Sequence, residues 1–160
     1  MKTFRHAVPE ELPAIEKIYD NARRFMRASG NANQWVNGYP SEELLLSDIG
    51  KKALYVMEED GEILCVFAMF DGRDPTYAEI DGAWLNDAPY LTIHRIASSG
   101  KVPRSADAVF EWAYSIVPNL RIDTHEDNLP MQRCLARNGF SCCGVIRLEN
   151  GDPRRAYQKS

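Results

Sequence analysis

The stretch RIDTHEDNLPMQRCLARNGF, residues 121–140, changes its hydrophobic period halfway along. With Leu120 in front, LRIDT alternates apolar and polar as a strand does, and the polar run that follows breaks it. Asn128 then stands as a helix cap. Pro130 falls in the first turn, where its missing N–H would have no intrahelical partner, and Gly139 is a natural stop. The same run offers Asp123, His125 and Asp127 at i, i+2 and i+4, ligand types able to hold a divalent ion. That spacing matches no established metal motif: H-E-x-x-H fails at Leu129, and His6 and His94 lie far away in sequence. No metal is expected, and Asp123, Glu126 and Asp127 read as structural or solvated. His125 stays a candidate because ligands of α/β folds gather beyond the carboxyl ends of parallel strands.

Working outward, SADAVFEWAYSIV before this stretch is a helix with Ala108, Val109, Trp112 and Ile116 on one side, and YLTIHRIA before that is a strand. Strand, helix and LRIDT make a β-α-β unit, which implies parallel pairing and a right-handed crossover. After Phe140, FSCCGVIRL and RRAYQK are two more strands around an ENGDP turn. Nearer the N-terminus, KTFRHAV is a short strand. The helix that follows carries Leu12, Ile15, Ile18, Tyr19, Ala22, Phe25 and Met26 at helical spacing and stops at Gly30. SEELLLSDIGK is a second helix capped by Ser41. ALYVMEE and EILCVFAMF form a hairpin at Asp60-Gly61. The polar connection 72–89 has room for one short strand. The fold class is thus α/β with a mixed sheet.

A chain of 160 residues with 44% hydrophobic residues is the size of one domain, residues 1–160, around one sizeable core. Its formal charge of −4 comes without a basic tract that would track a phosphate backbone, so nucleic acid is not an expected partner. No stretch resembles a signal peptide or a membrane span, and a cytoplasmic location is the default expectation. Cys65, Cys134, Cys142 and Cys143 form no C-x-x-C pair and read as reduced, structural thiols, the adjacent pair pointing to opposite faces of its strand.

The element order and the strand–Asn128–helix–Gly139-Phe140 succession resemble the GNAT superfamily of acyl-CoA-dependent N-acyltransferases over essentially the whole chain. The resemblance implies a mostly antiparallel central sheet with helices on both faces and one splayed parallel strand pair, IHRIAS against LRIDT. Acetyl-CoA, the implied co-substrate, would enter that slot. Backbone of Ile96, Ala97 and Ser98 would hold its pantetheine, and the loop and helix start around Lys101, Arg104, Ser105 and Ala106 its pyrophosphate. Asn128, Met131 and Arg137 complete the implied cofactor contacts. Helix starts bind anions through converging N–H groups, so the pyrophosphate needs no particular side chain.

Two departures stand out. The family's glycine-rich phosphate turn is replaced by SSGKVPRSADA, in which Pro103 removes a donor, and Leu135 occupies the place where many members carry a tyrosine that protonates the leaving thiolate. A thiol of pKa about 8.5 still leaves tolerably as thiolate, and Tyr90, Tyr157 or water are the alternatives.

Acetylating an amine requires removing a proton from an ammonium of pKa about 10, and His94 on the central strand is the first candidate base, with His125 in reserve. Alternation does not say whether His94 faces the slot or a covering helix. The oxyanion would be held by backbone N–H near Ile96 and Ala97. In the resembled family the loop between the first two helices walls the acceptor site, which places Gln34, Trp35 and Tyr39 against a small-molecule amine. The rival reading is a non-catalytic module of the same fold that binds acyl-CoA or another small ligand. The oligomeric state stays open, a homodimer included.

Overall fold

The computed structural model describes all residues, Met1 to Ser160. Its strands are β1 (Thr3–His6), β2 (Leu54–Glu59), β3 (Glu62–Asp71), β4 (Asp81–Gly82), β5 (Leu91–Ser98), β6 (Leu120–Thr124), β7 (Ser141–Arg147) and β8 (Pro153–Lys159). Its helices are α1 (Leu12–Ala28), α2 (Glu42–Gly50), α3 (Ser105–Ile116) and α4 (Leu129–Arg137). The strands form one eight-stranded sheet in the order β1-β2-β3-β5-β6-β8-β7-β4, antiparallel at every join except β5–β6.

Apolar alternation splits the core between the two faces. Cys65, Phe67 and Met69 of β3 join Val109 and Phe110 of α3 and Leu135 of α4 on one face, whereas Val66 and Ala68 join Ile15 and Tyr19 of α1 and Leu45 of α2 on the other. Asp60 and Gly61 have φ of 53° and 77°, as a two-residue turn matched to the strand twist requires. Ser41 caps α2 by accepting from the Leu44 N–H at 3.1 Å, and Asn128 caps α4 by accepting from the Met131 N–H at 3.1 Å.

Two expected helix faces are rotated in the structure. On α3 the buried residues are Ser105, Val109, Phe110 and Ala113, and Ile116 is exposed. Phe110 packs edge-on against Phe140 at 5.1 Å, and Trp112 lies on the flank stacked on Phe4 at 4.6 Å. On α1 the stripe holds through Tyr19, after which Phe25 turns to solvent and Met26 to a cleft.

Three features position the site. First, β5 and β6 pair only at Leu91↔Leu120 and Thr92↔Arg121, then splay. Second, β5 bulges against β3. The register passes from Ala68↔His94 to Val66↔Ala97, leaving Phe67 opposite both Arg95 and Ile96, and Arg95 takes φ +54°. Third, the segment between β3 and β5 folds across the sheet. Its single 3₁₀ turn (Pro75–Tyr77) and Trp84 pack on Ile146 and Ala156, and Arg121 lies 4.1 Å from the ring centres of both Trp84 and Tyr90. β4 docks this segment on β7, where Cβ atoms would not fit: one at Gly82 would lie 2.2 Å from the Cys143 carbonyl, and one at Gly144 2.1 Å from that of Asp81.

Burial pushes the Cys65 thiol up to about 12 and that of Cys134 to about 11, as inert structural cysteines require. No helix is long and apolar enough to cross a membrane.

Candidate active site

A cleft of about 460 Å³ opens where β5 and β6 part. The pairing Thr92↔Arg121 puts residues two further along each strand on the same face, so His94 and Asp123 both look into the cleft from under the 3₁₀ turn. This settles the side on which His94 lies.

Asp74 caps the 3₁₀ turn through Oδ1, which accepts from the Thr76 N–H at 2.9 Å and the Thr76 hydroxyl at 2.7 Å. Its own N–H donates to the Tyr90 hydroxyl at 2.9 Å, fixing the residue from behind. The remaining oxygen, Oδ2, lies 2.8 Å from His94 Nε2. Burial works to raise the Asp74 carboxyl, but the hydrogen bonds from His94 and Thr76 outweigh it and bring the group down to about 2. An ionised Asp74 accepts only, so His94 donates this bond through Nε2–H, and Nδ1 is the ring nitrogen on the Asp123 side. Nδ1 stands 3.8 Å from Asp123 Oδ1, and that oxygen accepts from the buried Tyr77 hydroxyl at 2.6 Å. Asp123 therefore belongs to the cleft wall and is not a solvated strand end.

The opposite wall is the loop between α1 and α2, with Gln34, Trp35 and Tyr39 all on the cleft. Gln34 Oε1 accepts from Asn31 and Asn128 side-chain amides, each at 2.9 Å. Asn128 thus caps α4 with its oxygen and anchors the loop with its nitrogen. Trp35 packs between Tyr19 at 5.7 Å and Tyr39 at 6.3 Å. The Tyr39 hydroxyl accepts from Arg95 at 3.1 Å, and the same guanidinium grips the buried Asp48 carboxylate at 2.9 and 3.0 Å. Burial raises Asp48, with Arg95 opposing it.

His125 lies elsewhere. Its Nδ1 accepts from the Asp127 N–H at 3.0 Å, closing a local turn, and it is not part of the cleft wall.

On the side facing α3 and α4, Ile96 and Met131 line the cleft; Ala97 is buried with Val66 on the α1 and α2 face, and Ser98 is exposed. Past Thr92 the β6-facing edge of β5 has no strand partner, which suits an extended amide-bearing chain such as pantetheine. At the start of α3, Arg104 is left-handed (φ 60°) and supplies no side-chain cap, and Ser105 Oγ is buried without a partner. The helix-start N–H groups with that hydroxyl fit an anion such as the pyrophosphate. Ala106 packs on the core beside them. Lys101 is paired with Glu62, and Arg137 with Asp107 at 2.8 and 3.0 Å, so neither basic side chain is free of a carboxylate. Leu135 is wholly buried in the core. Tyr90 is committed to Asp74, and Tyr157 is buried on the α3 and α4 side, off the cleft wall.

Sequence reasoning missed Asp74, Arg154 and the β7–β8 turn, whose Asn150 and Asp152 reach the cleft. Asp-Pro at 74–75 signals only a turn, and nothing local tells of a histidine twenty positions on.

No protein-family model and no curated protein matches the chain. Among solved structures, a GNAT-family acetyltransferase from Streptococcus agalactiae is 34% identical with a TM-score of 0.89, over 99% of this chain and 94% of its own. A GNAT-family acetyltransferase from Listeria monocytogenes is 20% identical with a TM-score of 0.73, over 99% and 94%. An aminoglycoside acetyltransferase in complex with coenzyme A and kanamycin is 17% identical with a TM-score of 0.65, over 100% and 95%. The last two share the fold; the first, alike in sequence along nearly its whole length, carries the assignment. With its splayed β5–β6 pair and bulged central strand, the chain belongs to the GNAT family of acetyltransferases.

Proposed function

We propose that the protein is an N-acetyltransferase that moves an acetyl group from acetyl-CoA to the amine of a small molecule within a ternary complex. The observation that carries this reading is His94: a ring held through Nε2 by Asp74, with Nδ1 on the Asp123 side, in the cleft and next to the bulge of β5. Acetyl-CoA would supply a thioester whose carbonyl carbon takes the new C–N bond while the C–S bond breaks, the departing thiolate or solvent taking the second proton that the nitrogen sheds as the amide forms. His94 Nδ1 takes the proton that the acceptor ammonium must lose, directly or through one water. Backbone N–H groups near Ile96 and Ala97 face the charge that grows on the carbonyl oxygen. Trp35 and Tyr39 give the acceptor a flat wall, and Gln34 a polar edge. The start of α3 at Arg104, Ser105 and Ala106 receives the pyrophosphate, and Met131 and Asn128 border the pantetheine.

Leu135 and the altered phosphate loop favour a second reading, a non-catalytic acyl-CoA sensor. Titrating acetyl-CoA by calorimetry and then following thiol release across a panel of small amines, with mass spectrometry of the products, separates the two. Binding with acetylation of at least one amine is expected. Binding without thiol release supports the sensor, and no binding at about millimolar cofactor, a free energy near −4 kcal/mol, removes both.

A further inference from the structure

Arg154 of β8 is only 6% exposed and forms part of the cleft wall. A guanidinium carries five N–H donors and a permanent charge, and burying it is costly unless an anion or an aromatic face compensates. The other buried arginines have a carboxylate or aromatic faces against them, although Arg121 Nε also lacks a partner. Arg95, whose side chain is 11% exposed, grips Asp48, and Arg121 lies against Trp84 and Tyr90 with Asp87 at 3.8 Å. Arg154 has only two carbonyl acceptors, its own neighbour Pro153 at 2.9 Å and Gln34 at 3.3 Å, and no carboxylate pairs with it.

Its place in the sheet gives this charge a direction. Asp123 pairs with Ala156, so Arg154, two residues along the same strand, is a diagonal neighbour of Asp123 on the same face, with Cα atoms roughly 7–8 Å apart. The cleft therefore holds the Asp74 and Asp123 carboxylates around His94 and, one diagonal step from Asp123 on the same face, the Arg154 guanidinium, with Asp152 of the β7–β8 turn also in the wall but not paired with it. A simple amine would satisfy only the carboxylates.

Resting on the N-acetyltransferase reading above, we infer that the acceptor carries a carboxylate as well as its amine: an amino acid or amino-acid-like molecule whose carboxylate pairs with Arg154 while its amine faces His94. The guanidinium then gains the anion it lacks, through a charge-assisted and geometrically specific pair. A merely structural Arg154, tethering the Gln34 loop by one carbonyl, would treat acid and amide acceptors alike.

The test compares amino acids of α, β and γ spacing with their primary amides, by calorimetry on the full-length protein and, in parallel, by thiol release with acetyl-CoA. At least one acid is expected to bind roughly tenfold or more tightly than its amide. Arg154→Gln should collapse that ratio to near unity, and Arg154→Lys should keep part of it, with melting curves showing that both variants are folded. Should Arg154→Gln fail to fold, the comparison in the wild type and Arg154→Lys decides. Equal affinity for acids and amides, a ratio that survives Arg154→Gln, or no binding of any acid at about 10 mM overturns the inference. Acid-selective binding without thiol release would support the carboxylate site yet sink the acetylation reading. Acetylation indifferent to the carboxylate would do the reverse.

Discussion

His94 sits between two carboxylates that engage its ring nitrogens unequally: Asp74 at 2.8 Å from Nε2, Asp123 at 3.8 Å from Nδ1. The first contact orients the ring, and the second is too long for a hydrogen bond. Replacing His94 with Gln removes the base but keeps a polar group of similar reach, so turnover near neutral pH should fall about 100-fold or more while cofactor affinity changes less than about twofold. Unchanged turnover would make His94 structural. Asp74 gives a second prediction, about stability. Its folded pKa lies below its ordinary value, from 3.8 to about 2, so the stabilisation is complete above that ordinary value and is lost as pH falls toward 2. With its side chain 17% exposed, the shift corresponds to about 2 kcal/mol. Urea melts of Asp74→Asn against the wild type should show a gap of about that size at pH 7, narrowing below pH 4. A gap independent of pH would attribute the loss to packing alone. The place of His94 on the central strand was legible in the sequence because a strand and its parallel partner can be read locally, whereas the face it takes was not. Asp74 was not, because its role exists only once the connection 72–89 has folded back over the sheet.

Elements place these residues by means of a few local irregularities. The bulge of β5 at Arg95 is held from outside the strand by the Asp48 carboxylate of α2, and the docking of β4 on β7 depends on a pair of glycines. At Gly144, φ is +147° and an added Cβ would meet the Asp81 carbonyl at 2.1 Å, a distance real Cβ atoms do not adopt. Gly144→Ala should therefore separate β4 from β7, cost about 2–4 kcal/mol, and speed amide exchange through residues 74–84 more than through β2 or β3. Uniform exchange changes would show that β4 does not secure the connection. The regular parts of this architecture follow from short-range signals: Asp60-Gly61 for the hairpin, Asn128 and Gly139 for the ends of α4. The bulge leaves no such mark, since IHRIAS reads as an ordinary strand. Its irregularity is set by the register with β3 and by a charge 47 positions away. The misjudged face of α3 has the same origin, because Phe140, outside the helix, selects Phe110 over Ile116 for burial.

At the scale of the molecule, the sheet consists of β1-β2-β3-β5 on one side and β6-β8-β7-β4 on the other, joined by the short ladder at Leu91↔Leu120 and Thr92↔Arg121. The family's order of elements made this division readable; the sequence departs from the family at Pro103, and the start of α3 that follows carries an unpartnered Ser105 hydroxyl. A ligand that lies along the open edge of β5 and reaches that helix start adds hydrogen bonds where the two halves are least connected. Acetyl-CoA at about 100 times its dissociation constant should stabilise the fold by about 2.7 kcal/mol. For a domain of this size that corresponds to a rise in Tm of roughly 5–10 °C. With the pyrophosphate at the helix start beside Arg104, as proposed, the rise at a fixed acetyl-CoA concentration should shrink between low and high salt, whereas burial of pantetheine should not respond. Amide exchange should slow at β5 and β6 beyond Thr92 and in the first turn of α3, with β1 and β2 little changed. A Tm insensitive to acetyl-CoA, or protection confined to the acceptor side near Trp35, would show that the altered phosphate loop no longer holds the cofactor.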